Sequence, residues 1–194
     1  MTFLLKQGII KARKFILGGI FMSEVLSNIK TRRSVRKYKP DMVPKDVIEQ
    51  IVEAGMYAPT ARNMQSPIIL AVTNKEMRDR MSKLNAAVIN SQSDPFYGAP
   101  VVLVVLADKS KPCYQYDGPL VMANLMLAAH DLGVASCWIH RAKEVFDSAE
   151  GKEILKSLGI EGEYEGIGNC ILGYVDGPMP EAAPRKENYV YYID

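Results

Sequence analysis

Residues 67–73, PIILAVT, and 100–107, PVVLVVLA, are short unbroken apolar runs rich in β-branched residues. Such runs predict strands; the second, apolar on both faces, predicts a central strand covered by helices on both sides. Two more strands are expected at about 136–139 and 167–174. Between these runs the apolar positions recur at helical spacing. Ser23 precedes Glu24 and apolar positions 25, 26 and 29, which predicts a hydroxyl-capped helix over about 24–30. Pro44 fits a first helical turn, and Val47, Ile48, Ile51, Val52 and Gly55 carry that helix until Ala58-Pro59 breaks it. Charged helices are expected over about 75–90 and 143–157. Residues 120–129, LVMANLMLAA, are apolar all round except Asn124, and the pattern ends at Gly133. Such a helix must be buried on every side, which a chain of this size does not manage alone, so a subunit partner is expected over one face. Pro178, Pro180 and Pro184 impose an extended course on the tail. The β-formers 189–193 that finish it want a sheet edge to pair with, another subunit's included. Strands alternating with helices give an α/β or α+β sandwich with a mostly buried sheet.

The 194 residues, 48% hydrophobic and 24% charged, have the composition of one ordinary domain, which excludes disordered, collagenous and low-complexity chains. A domain of this length buries roughly 70% of its unfolded surface and needs no disulfide staple. Cys113, Cys137 and Cys170 are an odd count without a CxxC spacing, which argues against a disulfide framework or a zinc knuckle and for reduced thiols in a cytoplasmic protein. The net charge of +2 is too small to imply a nucleic-acid partner. Lys6, Lys11, Arg13 and Lys14 all fall in residues 1–21, which hold no acid, so residues 22–194 carry −2. These charges interrupt the apolar runs of residues 1–21, leaving neither a membrane span nor a signal peptide. Residues 1–21 read as a basic, apolar N-terminal extension. It is either an amphipathic surface helix or, the preferred reading, an adventitious addition before a natural start at Met22, with 22–194 as a single domain.

The chain contains no HExxH, GxSxG, GxxxxGK[ST] or GxGxxG motif. That argues against a metal site, a hydrolase elbow, a P-loop and a dinucleotide fingerprint, and leaves a bound organic cofactor as the route to chemistry. The densest polar cluster is residues 30–38, KTRRSVRKY. Guanidinium forks match phosphate oxygens two at a time, and in an extended stretch Arg32, Ser34 and Arg36 point one way and can converge on one dianion. A solvated basic turn or a nucleic-acid patch is the alternative. A second cluster, YAPTARNMQSP at 57–67, joins a helix to a strand. Asn63 and Gln65 each offer a donor and an acceptor to a planar heterocycle edge; an ordinary loop with local hydrogen bonds is the alternative.

Taken together and in order, RRSVRKY, YAPTARNMQSP, LGVASCW and PRKE resemble the nitroreductase family of FMN-dependent oxidoreductases, in its short branch, across nearly all of residues 22–194. The resemblance implies an α+β fold, a three-layer sandwich with a central mixed sheet covered by helices, in an intertwined homodimer with FMN at the subunit interface. It implies that Arg32, Arg33, Ser34 and Arg36 contact the phosphate and ribityl chain. Pro59, Thr60, Ala61 and Asn63, joined by Gln65, match the loop that a partner subunit lays against the flavin. Trp138, Ile139 and His140 match residues near the isoalloxazine ring, and Arg185, with Lys186, matches a late basic residue that returns to the phosphate. The implied activity takes hydride from NADH or NADPH and passes it to an electron-poor small molecule (a nitroaromatic, quinone or enone) by a ping-pong mechanism, with flavin N5 and no catalytic side chain carrying the hydride. It involves no nucleic acid and no metal. Two other readings compete: a relative with different flavin chemistry, dehalogenation or flavin cleavage, and a non-catalytic protein whose basic residues 6–14 and 30–37 bind lipid or nucleic acid. His140-Arg141 stand where many relatives have a glycine pair, a departure expected to narrow the pocket. Cys137 is expected to pack, and so is Trp138, though its indole could also serve as a stacking platform.

Overall fold

The computed structural model describes residues 15–17 and 20–194, with side chains from Ser23 onward, and divides the chain into two units that meet between Arg32 and Arg33. In the first unit Phe15–Leu17 (β1) pairs antiparallel with Ile20–Met22 (β2), so no surface helix runs through these residues. Residues 1–14, and with them the basic arm 6–14, lie outside the described residues. Glu24–Thr31 forms the expected helix α1, capped as the sequence predicts: the Ser23 hydroxyl accepts from the Leu26 N–H at 3.3 Å. Glu24 in its first turn and Lys30 in its last complement the helix dipole.

The second unit runs through α2 (Lys45–Met56), a 3-10 turn (Ala61–Asn63), β3 (Pro67–Val72), α3 (Lys75–Ala87), β4 (Val101–Asp108), α4 (Tyr114–Asp131), β5 (Ala135–Ile139), α5 (Ala142–Asp147), α6 (Ala149–Ser157) and β6 (Tyr164–Gly173). The strands form a four-stranded sheet in the order β3-β4-β6-β5, antiparallel at each pairing. The expected mixed character is confined to a parallel bridge between Ser34 and Ser136, which lays the segment after α1 along the outer side of β5.

β4 is the strand the sequence marks as central. Val102, Val104 and Leu106 face a core shared with Met81, Phe96, Val145 and Phe146. Val101, Leu103 and Val105 face a second core, built with Ile48, Ile51, Val121, Met122 and Leu125. Alternation along one strand thus feeds two hydrophobic layers, which makes the α+β architecture a three-layer sandwich.

Several elements differ from expectation. β3 is half-buried rather than buried, because among the described residues β4 is its sole strand neighbour. α4 begins at Tyr114, six residues earlier than its apolar run, with Pro119 inside it. Asp-Gly-Pro reads as a turn, yet a proline this near a helix start forfeits only one intrahelical bond. The charged stretch 143–157 is two helices broken at Ser148, whose backbone is extended and whose hydroxyl accepts from the Gly151 N–H at 3.1 Å. Gly151 is required there, since a Cβ would run into the Val145 carbonyl oxygen. Pro44 is the N-cap of α2 rather than a member of its first turn. The tail beyond Gly177 forms no strand among the described residues, and Tyr189–Ile193 are exposed. Among the described residues no helix is long and apolar enough to cross a membrane.

Candidate functional site

The basic run is held extended by its neighbours. Val35 N–H donates to Ser136 O at 3.1 Å, Lys39 N–H to Tyr174 O at 2.8 Å and Asp176 N–H to Lys37 O at 3.0 Å, so residues 34–39 are fastened between β5 and the end of β6. The apolar members anchor it: Val35 and Tyr38 are buried, and the Tyr38 hydroxyl donates to Val35 O at 2.8 Å. Burial, reinforced by Cys137 and Cys170, pushes the Tyr38 phenol far above the ordinary tyrosine range, so it stays neutral. With Val35 and Tyr38 turned inward, Ser34 is half-buried and Arg36 and Lys37 are both exposed, so the expected alternation holds only around Val35. Arg33 is half-buried. Arg32 closes α1 in the first unit, its N–H donating to Asn28 O. The stretch 30–39 contains no carboxylate. Ser136, opposite Ser34, is buried, and its hydroxyl has no hydrogen-bond partner among the described residues.

The loop from Pro59 to Ser66 has an uncommon backbone. Arg62, Asn63 and Gln65 have φ of 53°, 54° and 48°, left-handed values that each cost a non-glycine residue on the order of 1 kcal/mol. The conformation persists because both ends are tied down. Asp117, buried in the first turn of α4, accepts from Ala61 N–H at 2.9 Å through Oδ1 and from the Ser66 hydroxyl at 2.8 Å through Oδ2. Gln65 N–H donates to Thr60 Oγ1 at 3.1 Å, and the Gln65 amide donates to Asn63 Oδ1 at 3.3 Å. The result presents Asn63 and Gln65 as an exposed, paired amide edge. Pro59 is exposed, and Thr60 and Ala61 are half-buried. Thr60 and Gln65 also rim a cavity of about 330 Å³ whose other walls include Met56, Pro67, Ile69 and Val121.

At the end of β5 the three candidates separate by face. Trp138 is half-buried toward the α2–α4 layer over Gly168, where a Cβ would collide with the indole nitrogen. The Trp138 N–H is buried with no hydrogen-bond partner among the described residues. Ile139 points into the opposite core, so a ligand can meet only its main chain. His140 is exposed, its ring 6.2 Å from that of Trp138. Cys137 is buried, as a packing residue should be. Two buried amides that the sequence reading missed fix this turn. Asn85 donates to His140 O at 2.7 Å, and Asn169 donates to both Ile139 O and His140 O at 3.2 Å. Arg141, at the expected departure from a glycine pair, has φ of +75°, a conformation that glycine favours, and its guanidinium reaches Asn85 Oδ1 at 3.4 Å.

Arg185 and Lys186 are exposed and make local contacts within the tail: Arg185 donates to Ala183 O at 2.6 Å, and the Lys186 ammonium lies 5.4 Å from the Tyr189 ring centre. Among the described residues no cluster of His, Cys, Asp or Glu could hold a metal. Asp117 was also missed from sequence. Its one signal is a lone acid three residues before the apolar run 120–129.

A three-layer α+β domain, with a basic extended run along one side of its sheet and a braced amide loop before another strand, defines the class. A model of the nitroreductase family matches residues 29–174. The chain belongs to that family. It is 36% identical over 179 residues, 89% of this chain and 92% of its relative, to an Archaeoglobus fulgidus protein that carries the provisional name NADH dehydrogenase/NAD(P)H nitroreductase. Its fold is similar to that of a Bacteroides fragilis nitroreductase solved with bound FMN (TM-score 0.81, 28% identity, 89% of this chain and 100% of that one). A Desulfitobacterium hafniense nitroreductase with bound FMN is similar too (TM-score 0.79, 26% identity, again 89% and 100%).

Proposed function

We propose that this protein is an FMN-dependent oxidoreductase that takes hydride from NADH or NADPH and reduces an electron-poor small molecule, a nitroaromatic, quinone or enone. The observation that carries this reading is the fastened run at 33–36, which offers guanidinium and hydroxyl donors and no carboxylate of its own and is bonded to Ser136 in β5, the nearby Asp176 being engaged by Lys37 at 2.9 Å. That donor set fits a phosphate monoester, and the Asn63–Gln65 amide edge fits the donor and acceptor pattern of a heterocycle. Family membership and two similar structures solved with bound FMN support the same ligand.

In this reading Arg33, Ser34 and Arg36 bind the phosphate and ribityl chain, with Arg32 assigned to the same group by its place in the motif. Thr60, Ala61, Asn63 and Gln65, with Pro59 shaping the turn, orient the heterocycle. Trp138 and His140 bound the ring's surroundings, Ile139 contributes main chain, and Arg185, with Lys186, returns to the phosphate. FMN, when bound, supplies a hydride acceptor and donor at N5. The protein binds, orients and excludes water, and holding two reactants in turn over one face supplies much of the rate and makes the kinetics ping-pong. No side chain is assigned as a catalytic acid; water suffices for protons. The functional unit is a homodimer in the cytoplasm, each copy lending its loop to the other's cofactor.

Absorption and reduction test this together. The purified chain should be yellow, or become so with FMN, and anaerobic NADH or NADPH should bleach it before an acceptor restores the colour. A protein that stays colourless with FMN sinks the flavin, and a bound flavin that never bleaches sinks the nicotinamide-driven reaction.

A further inference from the structure

Resting on the flavin reading above, we propose that Asp117 is the positioning residue of the cofactor loop: its buried carboxylate holds residues 61–66 in the left-handed conformation that presents Asn63 and Gln65. Both oxygens are used. Oδ1 takes the Ala61 N–H at 2.9 Å, where the 3-10 turn begins, and Oδ2 takes the Ser66 hydroxyl at 2.8 Å, where the chain enters β3. The three left-handed residues lie between these two points. Left-handed non-glycine backbone relaxes unless its surroundings over-determine it, so a clamp at each end of the segment decides whether the loop exists in this form.

Asp117 is suited to the task by its own support. It lies in the first turn of an 18-residue helix, where the dipole favours a negative charge, and its N–H is bonded to Cys113 O at 3.1 Å. The next residue, Gly118, sits against Ile167 of β6 with no room for a Cβ, which fixes the helix start on the sheet. The sheet thus fixes the helix, the helix fixes the carboxylate, and the carboxylate fixes the loop.

Three variants test this. Asp117→Ala removes both acceptors. Asp117→Asn keeps the geometry without the charge, because its carbonyl accepts from Ala61 while its amide donates to a rotated Ser66 hydroxyl. Ser66→Ala removes one arm only. Arg62, exposed within the loop, gives a readout independent of flavin, the rate of tryptic cleavage after it in the apoprotein. Two lost hydrogen bonds should speed that cleavage roughly tenfold or more in Asp117→Ala. FMN should weaken by a comparable factor, since affinity scales with the population of the competent loop. The midpoint potential of the bound flavin should shift as well, which general destabilisation would not produce. Asp117→Asn should restore cleavage rate, affinity and potential to near the wild-type values, and Ser66→Ala should fall between. Wild-type cleavage and affinity in Asp117→Ala would overturn the proposal. So would an Asp117→Asn protein that behaves like the alanine variant, because the charge would then be what matters. If Asp117→Ala fails to fold, Ser66→Ala decides: wild-type behaviour there overturns the clamp. A wild-type chain that takes up no FMN fails the flavin reading instead, and cleavage at Arg62 still decides whether Asp117 holds the loop.

Discussion

Arg141 holds a backbone conformation that only glycine adopts without cost. Glycine takes φ of +75° freely, whereas arginine there pays on the order of 1 kcal/mol, offset here by a long 3.4 Å bond to Asn85. What arginine adds there is a side chain beside the candidate ring site. Arg141→Gly should therefore leave unfolding stability within about 0.5 kcal/mol of wild type or raise it, while Arg141→Val should lose about 1–2 kcal/mol. Urea denaturation measures both, and a large loss in the glycine variant would show that the guanidinium, not the backbone, holds the turn. The residues that fix this turn and the loop were hidden in the sequence for one reason. Asp117 reaches partners 56 and 51 residues away, and Asn85 and Asn169 reach β5 across 55 and 29–30 residues. Local pattern carries no trace of such pairings, whereas the clusters at 30–38 and 57–67 are contiguous and could be read directly.

At the scale of elements, the strands were legible because each is a dense apolar run, and β4 was legible as central because both of its faces are apolar. The misread elements are those where one side chain overrides the pattern. Ser148 splits a charged helix by capping the second half, and α4 starts early because Cys113, at φ of 66°, turns the chain into it. Asp94 does comparable work for the connection between α3 and β4. Its carboxylate accepts from the Ser82 hydroxyl and from Arg78, both at 2.6 Å, and from the N–H groups of Phe96 at 2.9 Å and Gly98 at 2.8 Å. Partial burial, the largest influence, pushes the carboxyl up, but these four donors together outweigh it and hold it below the ordinary aspartate range. A folded value below the unfolded one, about 3.9, means the contribution is present above that pH and is lost as pH falls through the folded value. Asp94→Asn should thus be less stable than wild type at pH 7, with the difference shrinking as both are taken toward pH 3. Thermal melts across that range check it, and a gap independent of pH would show that the carboxylate is not the holding group.

At the scale of the whole molecule, apolar side chains among the described residues stand exposed on α2 and α4. α4 buries Val121, Met122, Leu125 and Ala129, yet Leu120 is 43% exposed and Leu132 37%, and at the end of α2 Met56 and Tyr57 are 72% and 80% exposed. Tyr57, Ala128 and Leu132 line a groove of about 320 Å³ between these two helices. The sequence already demanded a cover for α4, because an all-apolar helix in a chain this short exceeds what that chain can bury. β3, with one strand neighbour among the described residues, and the exposed tyrosines of the tail are further surface that the homodimer proposed above would cover. If that copy supplies the cover, light scattering should give twice the 21.6 kDa chain mass for the wild type. Tyr57→Glu with Leu132→Glu, which adds two acids to a groove already edged by Glu53 and Asp131 and replaces no buried core residue, should return the mass to that of one chain. FMN should be lost in the same step, because a cofactor between two copies cannot survive their separation, whereas one held within a single chain would remain. A wild-type chain at 21.6 kDa overturns the homodimer, and a monomeric variant that keeps its flavin moves the cofactor off the interface.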